Sequence, residues 1–112
     1  MTPPFNTVAE QHHEIVRVAR SILDGSLGII AGAREMTKVR FRSHSNERDD
    51  DFLVFVGIDS ETDHLPVGEV RKHWSAEALA QKDAEIKRAE DFFRERALTA
   101  ARTLIHRYEK SA

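Results

Sequence analysis

The chain contains no cysteine. Disulfides and thiolate metal sites are therefore excluded, and a reducing compartment is the natural expectation. Long apolar runs are also missing: nothing approaches the roughly 20 residues that a membrane-spanning helix needs. The first residues, MTPPFNTVAEQHHE, lack the basic start and apolar core of a signal peptide. A cytoplasmic protein without membrane contact is expected. Breakers are scarce, with three prolines and five glycines in 112 residues and none after Gly68. Charge of one sign is scarce too. The net charge is −2, with a mildly basic first part and a mildly acidic remainder, so neither nucleic-acid binding nor an acidic tail is indicated. There is no glycine-rich phosphate loop and no Gly-x-Ser-x-Gly elbow.

What is present is a globular composition, 40% hydrophobic and 32% charged, in a length suited to one helical domain over residues 1–112. Thr7 and Glu10 have the spacing of a capping box and open a first helix. Val8, Ile15, Val16, Val18, Ala19, Ile22 and Leu23 share its inner face at the helical period. Gly25 suits the helix end, and Ser26 is placed to cap a second helix over Leu27–Arg42. The inner stripe of that helix is Ile29, Ile30, Ala33, Met36, Thr37 and Phe41. Gly28 and Gly32, one turn apart, would permit close approach of a neighbour. Ser75 caps a last helix that runs to about Lys110, with Trp74 stapled and buried against Leu79. Its stripe, Leu79, Ile86, Ala89, Phe93, Ala97, Ala100, Ala101, Leu104 and Tyr108, widens near its end through Leu98 and Ile105.

Between these helices lies DFLVFVGIDSETDHLPVG, residues 51–68. The apolar part, Phe52–Ile58, has no helical or strand period. A short buried helix is favoured, because Asp49–Asp51 would sit at its positive end and a strand lacks an obvious partner. The alternative is an α+β chain with one hairpin near residues 38–58. Ser43–Asp51 and His64–His73 read as loops. The fold expected is all-α: a small antiparallel four-helix bundle-like domain with a long C-terminal helix.

The candidate binding residues are Asp59, Glu61, Asp63 and His64, with Arg71 and His73 nearby. Carboxylates beside a histidine suit a hard or borderline cation. The plainer reading is that the acids hydrogen-bond backbone amides and pair with arginine, Asp59 being the most buried and held by Arg40 or Arg71. No metal and no cofactor is assigned. Glu10/His13 and Glu61/His64 repeat the Glu-x-x-His spacing of di-iron bundles, but Glu10 and His13 lie opposite the apolar face, which carries His12 instead. His13, Arg17 and Arg20 form one outward basic ridge, and Arg34, Lys38 and Arg42 another; no aromatic interleaves them, and nucleic acid is not the expected partner. Arg40 falls inside an apolar stripe and needs a partner such as Glu90 or Asp59.

The function expected is protein binding, in the manner of adaptors, regulators or toxin-neutralising immunity proteins. The widening stripe around Leu104 suggests a homodimer or a partner groove. The alternative is a metal-binding protein or enzyme centred on Asp59–His64.

Overall fold

The computed structural model describes Phe5, residues 7–42 and residues 49–109. Four α-helices follow in order: α1 (Val8–Leu23), α2 (Ile29–Arg42), α3 (Asp50–Thr62) and α4 (Ala76–Tyr108), with a 3-10 helix at Gly68–His73 before α4. The protein is all-α and bundle-like, as the hydrophobic periods imply. Among the described residues there is no strand, and none of their helices is long and apolar enough to cross a membrane.

Thr7 is extended, and its hydroxyl accepts the Glu10 N–H at 3.0 Å, which starts α1. Gly25, at φ +83°, turns the chain two residues after α1 in a conformation costly for other residues. Ser26 does not cap α2. Its N–H and hydroxyl both donate to Asp24 Oδ1, at 2.8 and 2.6 Å, and close the turn. The cap of α2 comes from the far side of the molecule. The Ile29 and Ile30 N–H groups donate to the two carboxylate oxygens of Glu90 on α4, at 3.0 and 2.7 Å. Gly28 leaves room for this, since a Cβ there would lie 2.6 Å from Glu90 Oε1. Gly32 likewise lets Ile22 of α1 pack against the α2 backbone. At the other end of this hairpin the Phe5 N–H donates to the Arg42 carbonyl, so α1 and α2 are antiparallel.

Residues 38–42 are helical in α2 and residues 52–58 in α3, so the hairpin alternative does not hold. Most of the expected Ser43–Asp51 loop lies outside the described residues. Asp49 Oδ1 accepts the Asp51 N–H at 3.0 Å and caps α3. Arg107 of α4 pairs with both Asp49 and Asp51. Phe52, Phe55 and Ile58 are buried, while Leu53, Val54 and Val56 are half-buried. The segment has no clear period because α2 and α4 cover it from two directions.

The expected 64–73 loop is in part the 3-10 helix. Ser75 caps α4 by accepting the Ala78 N–H at 3.1 Å. At about 1.5 Å per residue, or about 50 Å, the 33 residues of α4 match the longest dimension of the molecule, 45 Å. One core draws on all four α-helices, with Phe55, Ile15, Met36, Ile58, Leu104 and Val18 among its fully buried apolar side chains. Trp74 and Leu79 lie outside it and are only partly covered, contrary to expectation. The reason is geometric: Glu90 already sits at the start of α2, and between Ser75 and Glu90 the helix meets the chain through Glu85 with His64 and Asp83 with Arg71. The widened end of α4 is satisfied within the chain, since Ala101 and Leu104 are fully buried and Leu98, Ile105 and Tyr108 pack on the same core.

Candidate functional site

The six residues singled out in the sequence are placed at the junction of α2, α3 and the first half of α4. Asp59 lies in the last turn of α3, half-buried and 3.7 Å from Arg34 Nε. It is the most buried of the four acidic-segment residues; Glu61, Asp63 and His64 are exposed. Its partner is Arg34, rather than Arg40 or Arg71. Arg34 also donates to the Thr62 and Leu65 carbonyls at 2.6 and 2.9 Å, where a helix end leaves acceptors unpaired. The chain does not leave the core at Asp59, because α3 continues for three residues and Thr62, Leu65 and Pro66 are buried.

His64 Nε2 lies 3.0 Å from Glu85 Oε1. That hydrogen bond, aided by Lys82, holds the Glu85 carboxyl below its usual range. Arg71 donates to the Pro66 carbonyl at 3.1 Å and grips both oxygens of Asp83, at 2.8 and 3.2 Å. The hydrogen bonds from Arg71 lower the Asp83 pKa. His73 is exposed at the end of the 3-10 helix. The six residues thus divide among separate clasps. Among the described residues no three histidines or carboxylates come together as metal ligands would. Arg40 pairs with neither Glu90 nor Asp59, whose carboxylates are engaged by α2 and by Arg34.

The basic ridges are dispersed in the same way. Arg17 binds Glu14 through two nitrogens, and Arg20 reaches Glu109 near the end of α4. The Arg42 guanidinium lies 4.0 Å over the Phe5 ring, and Arg34 is turned toward α3. His12 packs 4.7 Å from the Tyr108 ring, and its buried Nδ1 has no hydrogen-bond partner among the described residues.

A different surface carries the features of a docking site. Phe92 of α4 is 73% exposed, while its neighbour Phe93 is 7% exposed in the core. The two rings meet edge to face, centroids 4.9 Å apart at 88°, an arrangement that holds Phe92 in place. One turn further along the same side of α4, a shallow groove of about 360 Å³ opens between α3 and α4, lined by Asp51, Val54, Glu95, Arg96, Thr99 and Ala100. Its floor is apolar at Val54 and Ala100. Glu95 and Arg96 have no ion-pair or hydrogen-bond partner among the described residues. An exposed aromatic, a small apolar recess and unpaired charges of both signs are the elements of protein recognition. Phe92 was not singled out from the sequence, yet the signal exists. Two adjacent phenylalanines, 100° apart on a helix, cannot both face one narrow core stripe.

No family model, curated protein or solved structure matches this chain.

Proposed function

We propose that this chain is a protein-binding domain, of the adaptor, regulator or immunity-protein kind, and that it binds through the α3–α4 groove with Phe92 as its anchor. The observation that carries this reading is the exposure of Phe92 on α4, one turn from a recess with an apolar floor and with Glu95 and Arg96 on its rim. Large aromatics dominate binding energy when a partner desolvates them. In the free chain this ring gains little from its position, since Phe93 alone supplies the core contact. The clasps around Asp59, His64 and Arg71 serve the reading indirectly, since Arg34 ties α3 to α2 and His64 and Arg71 tie the segment after α3 to α4. A cytoplasmic setting belongs to the same proposal and rests on the cysteine-free composition.

The test replaces Phe92 with a photo-crosslinking phenylalanine analogue in the cells that natively make the protein, with the exposed position Gln81 as control. The expected result is a discrete protein adduct at position 92, identified by mass spectrometry and absent at position 81. Irradiation that yields no adduct at position 92 removes the reading.

A further inference from the structure

The outer face of α3 carries features that the packing of the free chain does not use. Asp50, Val54, Gly57 and Glu61 follow one another at i, i+4, i+7 and i+11 and so share one face. Gly57 is exposed, and among the described residues a Cβ there would meet nothing within 4 Å. Gly28 and Gly32 differ, since each makes room for a side chain of this chain. Glycine is the poorest helix former after proline, so its place inside α3 is unexplained by internal packing. At the C-terminal end of α3, Glu61 and Asp63 are exposed, and the last turn holds no basic residue. Carboxylates are unfavourable at that end, where the helix dipole is negative. Arg34, the cation nearest in the fold, is committed to Asp59 and to the Thr62 and Leu65 carbonyls. The helices α3 and α4 run antiparallel, since Arg107 meets Asp49 and Asp51 while Glu85 meets His64. Phe92 therefore lies toward the Glu61 end of the groove and Val54 toward the other.

We propose that the groove binds an amphipathic α-helix of a partner protein, with its apolar side on Val54, Gly57 and Phe92 and a lysine or arginine at Glu61. This rests on the protein-binding reading above and names the chemistry of the partner. A helix fits because a segment pressed onto an apolar floor must satisfy its own backbone N–H and C=O groups, and the described residues offer no strand edge to pair with. The face from Asp50 to Glu61 is about three turns or 16 Å long, a length on which a helix can set anchors at i, i+4 and i+7. Gly57 lets the partner's backbone or a large side chain come close to α3, and Phe92 packs along its flank. The basic residue offsets both the Glu61 carboxylate and the negative end of the α3 dipole. The α4 rim is mixed in sign, with Glu95 beside Arg96 and Arg88 one turn before Phe92. The acidic end of α3 thus sets the charge that the partner carries.

The experiment measures fluorescence anisotropy of two dye-labelled probes titrated with the full chain. One is a capped leucine–lysine amphipathic peptide of about 18 residues, long enough to form a helix; the other replaces every lysine with glutamate. The lysine peptide is expected to bind at micromolar concentration and the glutamate peptide at least about tenfold more weakly. Phe92→Ser, Gly57→Gln and Glu61→Lys should each weaken the lysine peptide by about tenfold or more. Gly57→Gln improves helix propensity and Glu61→Lys places a cation at a helix C-terminus, so both variants should have thermal midpoints at or above wild type. Loss of binding from a chain that is no less stable separates recognition from a structural role. Glu77→Lys, at the exposed start of α4, makes the same change in net charge and should leave binding intact. A chain that binds the two peptides equally, or binds neither, overturns the proposal. So does binding that survives Gly57→Gln or Glu61→Lys, or that falls as far with Glu77→Lys. If the proposal fails while position 92 still yields a protein adduct, the protein-binding reading stands with a partner of other chemistry. Failure of the peptide together with no adduct rejects both.

Discussion

The two halves of α4 are held by different physics. From Phe93 onward, Phe93, Ala97, Ala100, Ala101 and Leu104 are buried at helical spacing, and the small alanines let α1 and α3 come close. From Ala76 to Phe92 no residue is buried, although Leu79, Ile86 and Ala89 continue the same stripe. That half is fixed by directional polar contacts: Arg71 with Asp83, His64 with Glu85, and Glu90 on the first amides of α2. An apolar period says which side of a helix can be buried, but it does not say that something lies there to bury it. Where cover is thin, charge-assisted hydrogen bonds set the position of the helix instead.

Truncation should expose the contrast most strongly. Leu104→Ala leaves a cavity in a fully packed region and should cost about 3 kcal/mol. Leu79→Ala, on the partly covered half, should cost about 1 kcal/mol or less, as Leu79 lies outside the core and is only partly covered. Urea denaturation followed by circular dichroism measures both, and equal losses would break the comparison between the halves.

The Glu90 cap comes next. Glu90→Ala leaves two amides of α2 without acceptors and should cost about 1.5 kcal/mol. Gly28→Ala should cost a similar amount by pushing the carboxylate away. Because both changes remove one interaction, the double variant should lose little more than either single one. Full additivity of the two midpoint shifts would show that Gly28 serves something other than this cap.

The smallest effect is the response of the clasps to acid. Asp83 and Glu85 have lowered pKa values because of hydrogen bonds from Arg71 and His64 respectively. A carboxyl with a folded-state pKa below its unfolded value binds fewer protons in the native state. Its contribution is complete above the unfolded value and is lost as pH falls through the folded one. Both groups are exposed, so the effect is modest. Asp83→Asn and Glu85→Gln should therefore lower the thermal midpoint slightly at neutral pH, and the difference from wild type should vanish on the acid side of the carboxylate range. A difference that stays constant with pH would mean that these clasps act through shape rather than charge.

Much of the fold was legible because it depends on local rules. Thr7 and Ser75 cap α1 and α4 as their spacing implies, Asp49–Asp51 begin α3, and the α1 stripe is buried from Ile15 to Ile22, although Val8 at its start and Phe41 at the end of the α2 stripe are exposed because no neighbouring helix reaches those ends. The candidate site was less legible. Asp59 was expected to be the best covered of its group and is, but its arginine is Arg34, which on a helical wheel belongs to an outward ridge. Four-residue spacing on the outer face of α4 allows Asp83 with Lys87, Lys87 with Asp91 and Glu90 with Arg94, and only Lys87 with Asp91 forms. The structure sends Glu90 to α2 and Asp83 to Arg71, while Arg94 and Lys87 share Asp91. A long side chain can reach several partners at similar cost, and only the packed arrangement selects among them.

The sequence by itself determined that the chain is helical, where the caps lie and which residues can enter a core, because these follow from backbone hydrogen bonding and the 3.6-residue period within one helix. The tertiary structure alone decided which carboxylate caps α2, how far along α4 the stripe is buried and which of two adjacent phenylalanines faces water. Those outcomes depend on where neighbouring helices stop and cross, and such distances between segments are not written in the spacing of any single one.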